Sequence, residues 1–142
     1  MEQNFKNHSR LVGGYHILLS SLLLAGLIGS IFNLISSIQT DNLYSASLLV
    51  LLFVIGFIIA GFARLFPLKA QDRAIRAEEN LRYFVMTGKM LPANLRISQI
   101  IALRFASDEE FCSLAQKASS ENLPAKKIKA LIKNWRADYY RV

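Results

Sequence analysis

Two uncharged apolar runs decide the fold of this chain: YHILLSSLLLAGLIGSIFNLISSI over Tyr15–Ile38 and LYSASLLVLLFVIGFIIAGFA over Leu43–Ala63. Neither run contains Asp, Glu, Lys or Arg, and only Gln39-Thr40-Asp41-Asn42 separates them. As helices they would extend about 36 Å and about 31 Å, enough to cross a hydrocarbon core of about 30 Å. A water-soluble helix carries a polar face, which both runs lack. The sequence therefore predicts an all-α membrane protein with a two-helix transmembrane hairpin.

The hairpin divides the 142-residue chain into three parts. We expect an N-terminal segment over residues 1–14 and the hairpin over residues 15–66, with spans at 15–38 and 43–65. A basic helical tail of about four helices follows over residues 67–142.

The distribution of Lys and Arg predicts the orientation of the hairpin. Basic residues near span ends prefer the cytoplasmic side. Seven flank the outer ends of the two runs and none lies in the connecting loop: Lys6, Arg10, Arg64, Lys69, Arg73, Arg76 and Arg82. We therefore expect a multi-pass protein of the bacterial inner membrane with both termini in the cytoplasm.

Small residues predict where the two spans pack against each other. Helices in lipid approach closely where side chains are small. Gly26, Ser30 and Asn33 fall on one face of the first run, and Gly56 and Ala60 are close together in the second. These five residues are the predicted hairpin packing site. A buried amide needs a partner, so Asn33 would bond across the hairpin, bind another copy or line a path.

The first tail helix is predicted over Leu68–Leu91, continuing the second span across a short break at Pro67. Glu78 and Arg82 are spaced for an ion pair along it. Five apolar residues follow one another at alternating distances of four and three residues, the spacing of a helix-packing seam. They are Ala70, Ala74, Ala77, Leu81 and Phe84. This seam suggests self-association.

Two helices are predicted next. The first covers Ile97–Phe105, with Ile97, Ile101 and Phe105 on one side. The second covers residues 108–119 and buries Phe111, Leu114, Ala115 and Ala118. Ser107 and Glu110 have the spacing of a capping box at its start. Arg104 is expected to pair with an acidic residue of the tail, such as Glu109 or Glu110.

The last helix is predicted to begin at Pro124 and to carry two faces. Its apolar face comprises Ile128, Leu131, Ile132, Trp135 and Tyr139. Its basic face comprises Lys126, Lys129, Lys133 and Arg136. The basic face fits three interpretations: a solvated surface, contact with anionic phospholipid, and contact with nucleic acid while Trp135, Tyr139 and Tyr140 stack on bases. The lipid interpretation is favoured over nucleic acid because the tail is tethered beside a membrane.

The sequence contains no residue pattern typical of a catalytic or metal-binding site. Cys112 is the only cysteine, both histidines lie near the N-terminus, and no phosphate-binding glycine loop is present. We therefore predict no catalytic residue, no metal site and no cofactor, and we expect a protein that is not an enzyme.

Four stretches of the chain resemble a bacterial family of small two-span membrane proteins of unknown function. They are Gln3–His8, Gln71–Glu79, Gln99–Glu110 and Trp135–Tyr139, and the third is the most specific. Such proteins are sometimes labelled transporter permeases. The resemblance implies no established activity, cofactor or catalytic residue.

These observations favour a membrane-anchored scaffold or interaction module that binds the bilayer, with self-association and an unidentified protein as further partners. A small channel or transporter component is the first alternative, with Asn33 and His16 lining a path shared between copies. A membrane-tethered nucleic-acid binder is the second.

Overall fold

The computed structural model describes residues 12–138 and is all-helical there, apart from one isolated bridge between Ala106 and Trp135. This confirms the predicted all-α class. Five helices follow in order: α1 over Gly14–Ser36, α2 over Leu43–Thr87, α3 over Ile97–Leu103, α4 over Asp108–Ser120 and α5 over Ala125–Leu131. Most of the predicted N-terminal segment, together with Tyr139 and Tyr140, lies outside the described residues.

The described chain forms two compact units, one of residues 12–66 and one of residues 67–138. The first unit contains α1 and the first half of α2. Both helices are long and apolar enough to cross a membrane, and in each only 6% of the most apolar stretch is buried. The turn between them is held by the Thr40 hydroxyl, which donates to the Ser37 carbonyl at 3.0 Å.

Helix α2 runs without interruption through Pro67, so the predicted break at this position is wrong. A proline in a helix interior removes one backbone hydrogen bond, but the helix resumes when the surrounding turns are well formed. α2 ends at Thr87 rather than Leu91, because Gly88 adopts a positive φ of 69° that terminates the helix.

The second unit has its own apolar core. Its largest fully buried side chains are Phe105, Phe111, Leu103, Ile128 and Gln99. α4 buries the four residues that its periodicity predicts, Phe111, Leu114, Ala115 and Ala118, so this prediction is confirmed. α2 contributes Tyr83, whose ring packs edge-on against Phe111 with centroids 6.1 Å apart.

The buried side chains of α3 are not those that apolar spacing places on one side, although Phe105, just beyond its end, is fully buried. α3 buries Ile100, Leu103 and Gln99, whereas Ile97 is exposed. The Gln99 amide nitrogen donates to the Leu123 carbonyl at 2.8 Å, and its oxygen accepts from the Arg96 backbone at 2.7 Å. Because the amide nitrogen and the amide oxygen of Gln99 both form hydrogen bonds, this side chain can be buried in the core. A search for apolar periodicity alone does not predict a buried glutamine.

The last helix is much shorter than predicted. α5 ends at Leu131, and the chain continues without helix through Asp138. This segment pairs with the stretch before α4: the Arg136 N–H donates to the Phe105 carbonyl at 2.8 Å, and the Ser107 N–H donates to the Asn134 carbonyl at 3.1 Å. These long-range bonds replace the helical ones that residue spacing suggests.

Candidate functional site

The most prominent exposed feature of the second unit is an apolar surface on α2, which we call the outer face. It comprises the predicted seam and a neighbour: Ala70, Ala74, Ala77, Leu81, Phe84 and Val85. All six are exposed, Leu81 by 63% and Val85 by 76%. The opposite side of α2 packs on the core through Ile75, Glu79 and Tyr83. The outer face is therefore available to a partner.

Arg82 joins α2 to the start of α4, a role that the sequence pattern does not indicate. Its Nη1 lies 2.9 Å from Glu79 Oε2, and its Nε and Nη2 lie within 2.8 Å of Asp108 Oδ1. Nη2 also donates to the Ala106 carbonyl at 2.8 Å, and the guanidinium stands 4.2 Å from the centre of the Phe111 ring. The predicted pairing with Glu78 is wrong, because Arg82 turns inward to the buried Glu79.

Arg104 pairs with a tail acid, as predicted, but with a different one from the two examples named. Its Nη1 lies 3.0 Å from Asp138 Oδ2 rather than beside Glu109 or Glu110. Both residues line a groove of about 230 Å³, together with Glu78, Glu79 and Arg136. Pockets for small ligands are usually about 300–1,000 Å³ and mostly apolar. This groove is smaller and holds charges of both signs, which is typical of structural ion pairing.

The start of α4 has the predicted boundary but a different set of bonds. Ser107 is the N-cap, yet its hydroxyl makes no cap bond and is buried without a partner. Glu110 turns away from Ser107 and accepts the backbone N–H groups of Lys133 and Asn134, at 3.2 and 3.0 Å. The capping box is therefore wrong as a bonding pattern. Glu110 holds the segment after α5, whose non-helical course could not be read from the local sequence.

The four predicted basic residues do not share one helical face. Lys126 and Lys129 lie on α5, whereas Lys133 and Arg136 lie beyond its end. The Lys129 ammonium stands 5.3 Å from the centre of the Phe105 ring. A single basic helical face is therefore wrong, and contact of these residues with anionic phospholipid stays a prediction.

Trp135 is placed unfavourably for stacking on nucleic-acid bases. It is half-buried, with its ring centroid 5.0 Å from that of Phe105. Base stacking needs an open aromatic face. The packing of Trp135 on the core therefore removes one support for the nucleic-acid interpretation.

In the first unit, each of two predicted packing glycines faces a large side chain. A Cβ atom placed on Gly26 would overlap the ring of Phe53, and one placed on Gly56 would lie 3.1 Å from Leu23 Cδ2. The Tyr15 hydroxyl donates to the Ala60 carbonyl. Each glycine thus makes room for a bulky residue of the opposite helix. The small-residue pattern indicates the glycines but not Phe53 and Leu23.

Ser30 and Asn33 differ in their surroundings. Ser30 is buried, with its hydroxyl donating to the Leu27 carbonyl at 2.8 Å. Asn33 is exposed, whereas Ser37, seven residues after Ser30, is buried. Asn33 does not bond across the hairpin, so of its three alternatives contact with another copy and the lining of a path stay predictions.

No group of three or more His, Cys, Asp or Glu side chains that could hold a metal ion occurs within residues 12–138. Cys112 is partly buried on α4. The charged side chains with resolved partners are engaged in bonds that hold the second unit together. The outer face of α2 is accordingly the best candidate for a functional surface.

Comparison with known proteins gives one match. No curated protein and no solved structure matches the chain. A family described as a family of unknown function, DUF6526, matches residues 1–142. This match covers the whole chain and confirms the expected resemblance to an uncharacterised family. The chain therefore belongs to the DUF6526 family.

Proposed function

We propose that this protein is an integral membrane protein whose α1–α2 hairpin crosses the bilayer twice. The observation that carries the proposal is the exposure of the apolar side chains on both helices. Leu22, Phe32, Leu52 and Ile59 are exposed by 62%, 68%, 60% and 62%. In water, side chains of this size gain roughly 1.5–3 kcal/mol each on burial. Hydrocarbon around the hairpin supplies that burial.

A soluble core and a signal sequence each account less well for these two apolar helices. A soluble core helix is mostly buried, whereas only 6% of the most apolar stretch is buried in each of them. A cleaved signal sequence accounts for one helix near the N-terminus, and α2 begins at Leu43. A membrane hairpin accounts for both helices together.

Charge supports an orientation with the second unit on the cytoplasmic side. Arg64, Lys69, Arg73 and Arg76 follow the second apolar run within a few turns, whereas the turn between the runs carries only Asp41 as a charged residue. Positive charge is retained in the cytoplasm during insertion. The bacterial inner membrane is the corresponding location.

The second unit acts as a non-enzymatic interaction module held at the membrane. Gln99, Arg82 and Glu79 are largely buried in this unit and bond to one another or to its backbone. The outer face of α2 carries its exposed Leu81, Phe84 and Val85. A module that binds other proteins through this surface fits the arrangement better than a catalytic site.

Cysteine labelling in intact bacterial cells tests this topology. Cys112 is replaced by Ser, and single cysteines are then introduced as Asp41→Cys in the turn or Glu121→Cys in the second unit. A membrane-impermeant maleimide should label Asp41→Cys in intact cells, and Glu121→Cys only after permeabilisation. Both positions are exposed, so burial does not limit the reaction. Labelling of Glu121→Cys in intact cells would overturn the proposed topology.

A further inference from the structure

We propose that α2 pairs with α2 of a second copy of this chain, forming a parallel two-stranded coiled coil along the outer face. The proposal rests on the membrane anchoring proposed above and names the partner of that surface. Two copies inserted in the same direction present their α2 helices side by side and parallel.

The spacing of the outer face suits such a pair. Ala74 and Leu81 take the a positions of a heptad repeat, and Ala70, Ala77 and Phe84 take the d positions. Residues at a and d form the contact seam of a coiled coil. Alanine at three of these five positions lets the helices approach closely near the hairpin end of the seam, while Leu81 and Phe84 supply bulk at the other end.

The seam points away from the body of its own unit. At about 100° per residue, the mean direction of the five seam residues is about 180° from that of Ile75, Glu79 and Tyr83. Those three residues are buried on the core. A second helix can therefore lie along the seam on the side of α2 that faces away from the core.

Charges beside the seam complement each other between parallel copies. Arg73 takes the g position and Glu78 the following e position, and both are exposed. In a parallel coiled coil, g of one helix faces e of the next heptad in the other. Arg73 of each copy thus faces Glu78 of the other, giving two ion pairs. In an antiparallel pair g faces g and e faces e, so Arg73 and Glu78 would not face each other.

The length of the seam explains why the bilayer matters. From Ala70 to Phe84 the seam extends about 21 Å, or two heptads. A stable interface in solution usually buries about 1,200–2,000 Å², more than two heptads provide. Confinement in one membrane raises the effective concentration of the copies and fixes their orientation.

Disulfide crosslinking of the full-length protein in membranes tests the pairing. In a Cys112→Ser background, Ala70→Cys, Ala77→Cys and Phe84→Cys each place a cysteine at a d position. In a parallel pair each d residue lies close to the same residue of the other copy, so each variant should form a disulfide-linked dimer on oxidation. Arg76→Cys, exposed on another side of α2, is the matched control and should give roughly tenfold less dimer.

Charge reversal tests the specific register. The charge variants are made in the Ala77→Cys background, which reports the dimer. Either Arg73→Glu or Glu78→Arg by itself creates two like-charge pairs and should lower the yield of crosslinked dimer roughly tenfold. The double exchange Arg73→Glu with Glu78→Arg should restore the yield. Coexpression of the two single variants should favour the mixed dimer, since all four facing charges are then opposite.

The crosslinking results test the coiled coil separately from membrane insertion. Crosslinking at Ala77→Cys but not at Ala70→Cys and Phe84→Cys would indicate an antiparallel crossing and overturn the proposal. Equal crosslinking of Arg76→Cys, or no rescue by the double exchange, would also overturn it. The cysteine labelling described above reports insertion alone, so correct labelling without crosslinks refutes the coiled coil and leaves the membrane proposal intact.

Discussion

Arg82 is the residue that links most parts of the second unit. Its side chain is 11% exposed and that of Glu79 is 8% exposed, so this ion pair is largely removed from water. A buried charge that loses its partner costs several kcal/mol, whereas replacing both partners with apolar groups costs far less. The stability of the second unit should therefore depend strongly on Arg82.

We expect Arg82→Met to lower the free energy of unfolding of the second unit by about 3 kcal/mol, because it leaves Glu79 buried and unpaired. Urea unfolding in detergent, followed by the fluorescence of Trp135, measures this change. Arg76→Met is the matched control, since Arg76 is exposed on the same helix. The double variant with Glu79→Met should recover much of the loss, and a double variant as unstable as Arg82→Met would contradict this dependence on the ion pair.

Single residues show why local patterns predict some contacts and not others. Glu78 and Glu79 are adjacent, and both lie within reach of Arg82 in sequence. Helical spacing favours an ion pair between Glu78 and Arg82, four residues apart. The rotation of α2 against the core instead places Arg82 beside Glu79, three residues away. That rotation depends on how Tyr83 packs on Phe111, which is a long-range contact.

At the scale of helices, the start of α4 shows which side chain stabilises a helix end. A capping box requires both Ser107 and Glu110, and loss of either would cost about 1 kcal/mol. Of these two side chains, only that of Glu110 is bonded in the structure, to the backbone of the segment after α5.

We therefore expect Ser107→Ala to be nearly neutral and Glu110→Ala to cost about 1.5–3 kcal/mol, the range for hydrogen bonds to a charged group. Removing the Ser107 hydroxyl abolishes a buried polar group that has no partner. The same unfolding measurement compares the two variants. Equal losses of about 1 kcal/mol would instead favour the capping box.

The hairpin offers a paired glycine test. Gly26→Ala should destabilise the packing of α1 on α2 by about 1–3 kcal/mol, because the added methyl overlaps the Phe53 ring. Gly29→Ala is the control, since no atom lies within 4 Å of a Cβ at that position. It should stabilise the helix by up to about 1 kcal/mol. Thermal unfolding in detergent compares them.

Two results at this scale would argue against the arrangement of the hairpin. One is equal stability of the Gly26→Ala and Gly29→Ala variants. The other is failure of Phe53→Ala to relieve the effect of Gly26→Ala, because a smaller side chain at position 53 removes the overlap.

Helices differ in how far the sequence predicts them. α4 is predictable in both its start and its buried face, because apolar residues recur along one side of it and acids occupy its first turn. α5 is not, because Ile132 and Trp135 continue the helical spacing while the backbone leaves the helix to bond with Phe105 and Ser107. Partners far away in the sequence decide its end.

Across the whole molecule, the distribution of apolar and charged residues divides the chain into an apolar first half and a basic second half. The described residues form two units that meet in sequence at Pro67. Residues 64–142 carry fifteen basic and eight acidic side chains, giving +7, which equals the net charge of the chain. This distribution predicts the architecture, and residue spacing predicts the seam on α2, whereas the exposure of that seam follows only once the packed side of α2 is known.

Fractionation of cells that produce the full-length chain tests membrane insertion of the hairpin. If hydrocarbon surrounds α1 and the first half of α2, the protein should stay in the membrane pellet after an alkaline carbonate wash and should enter solution only with detergent. Recovery of the intact chain in a detergent-free soluble fraction would contradict insertion.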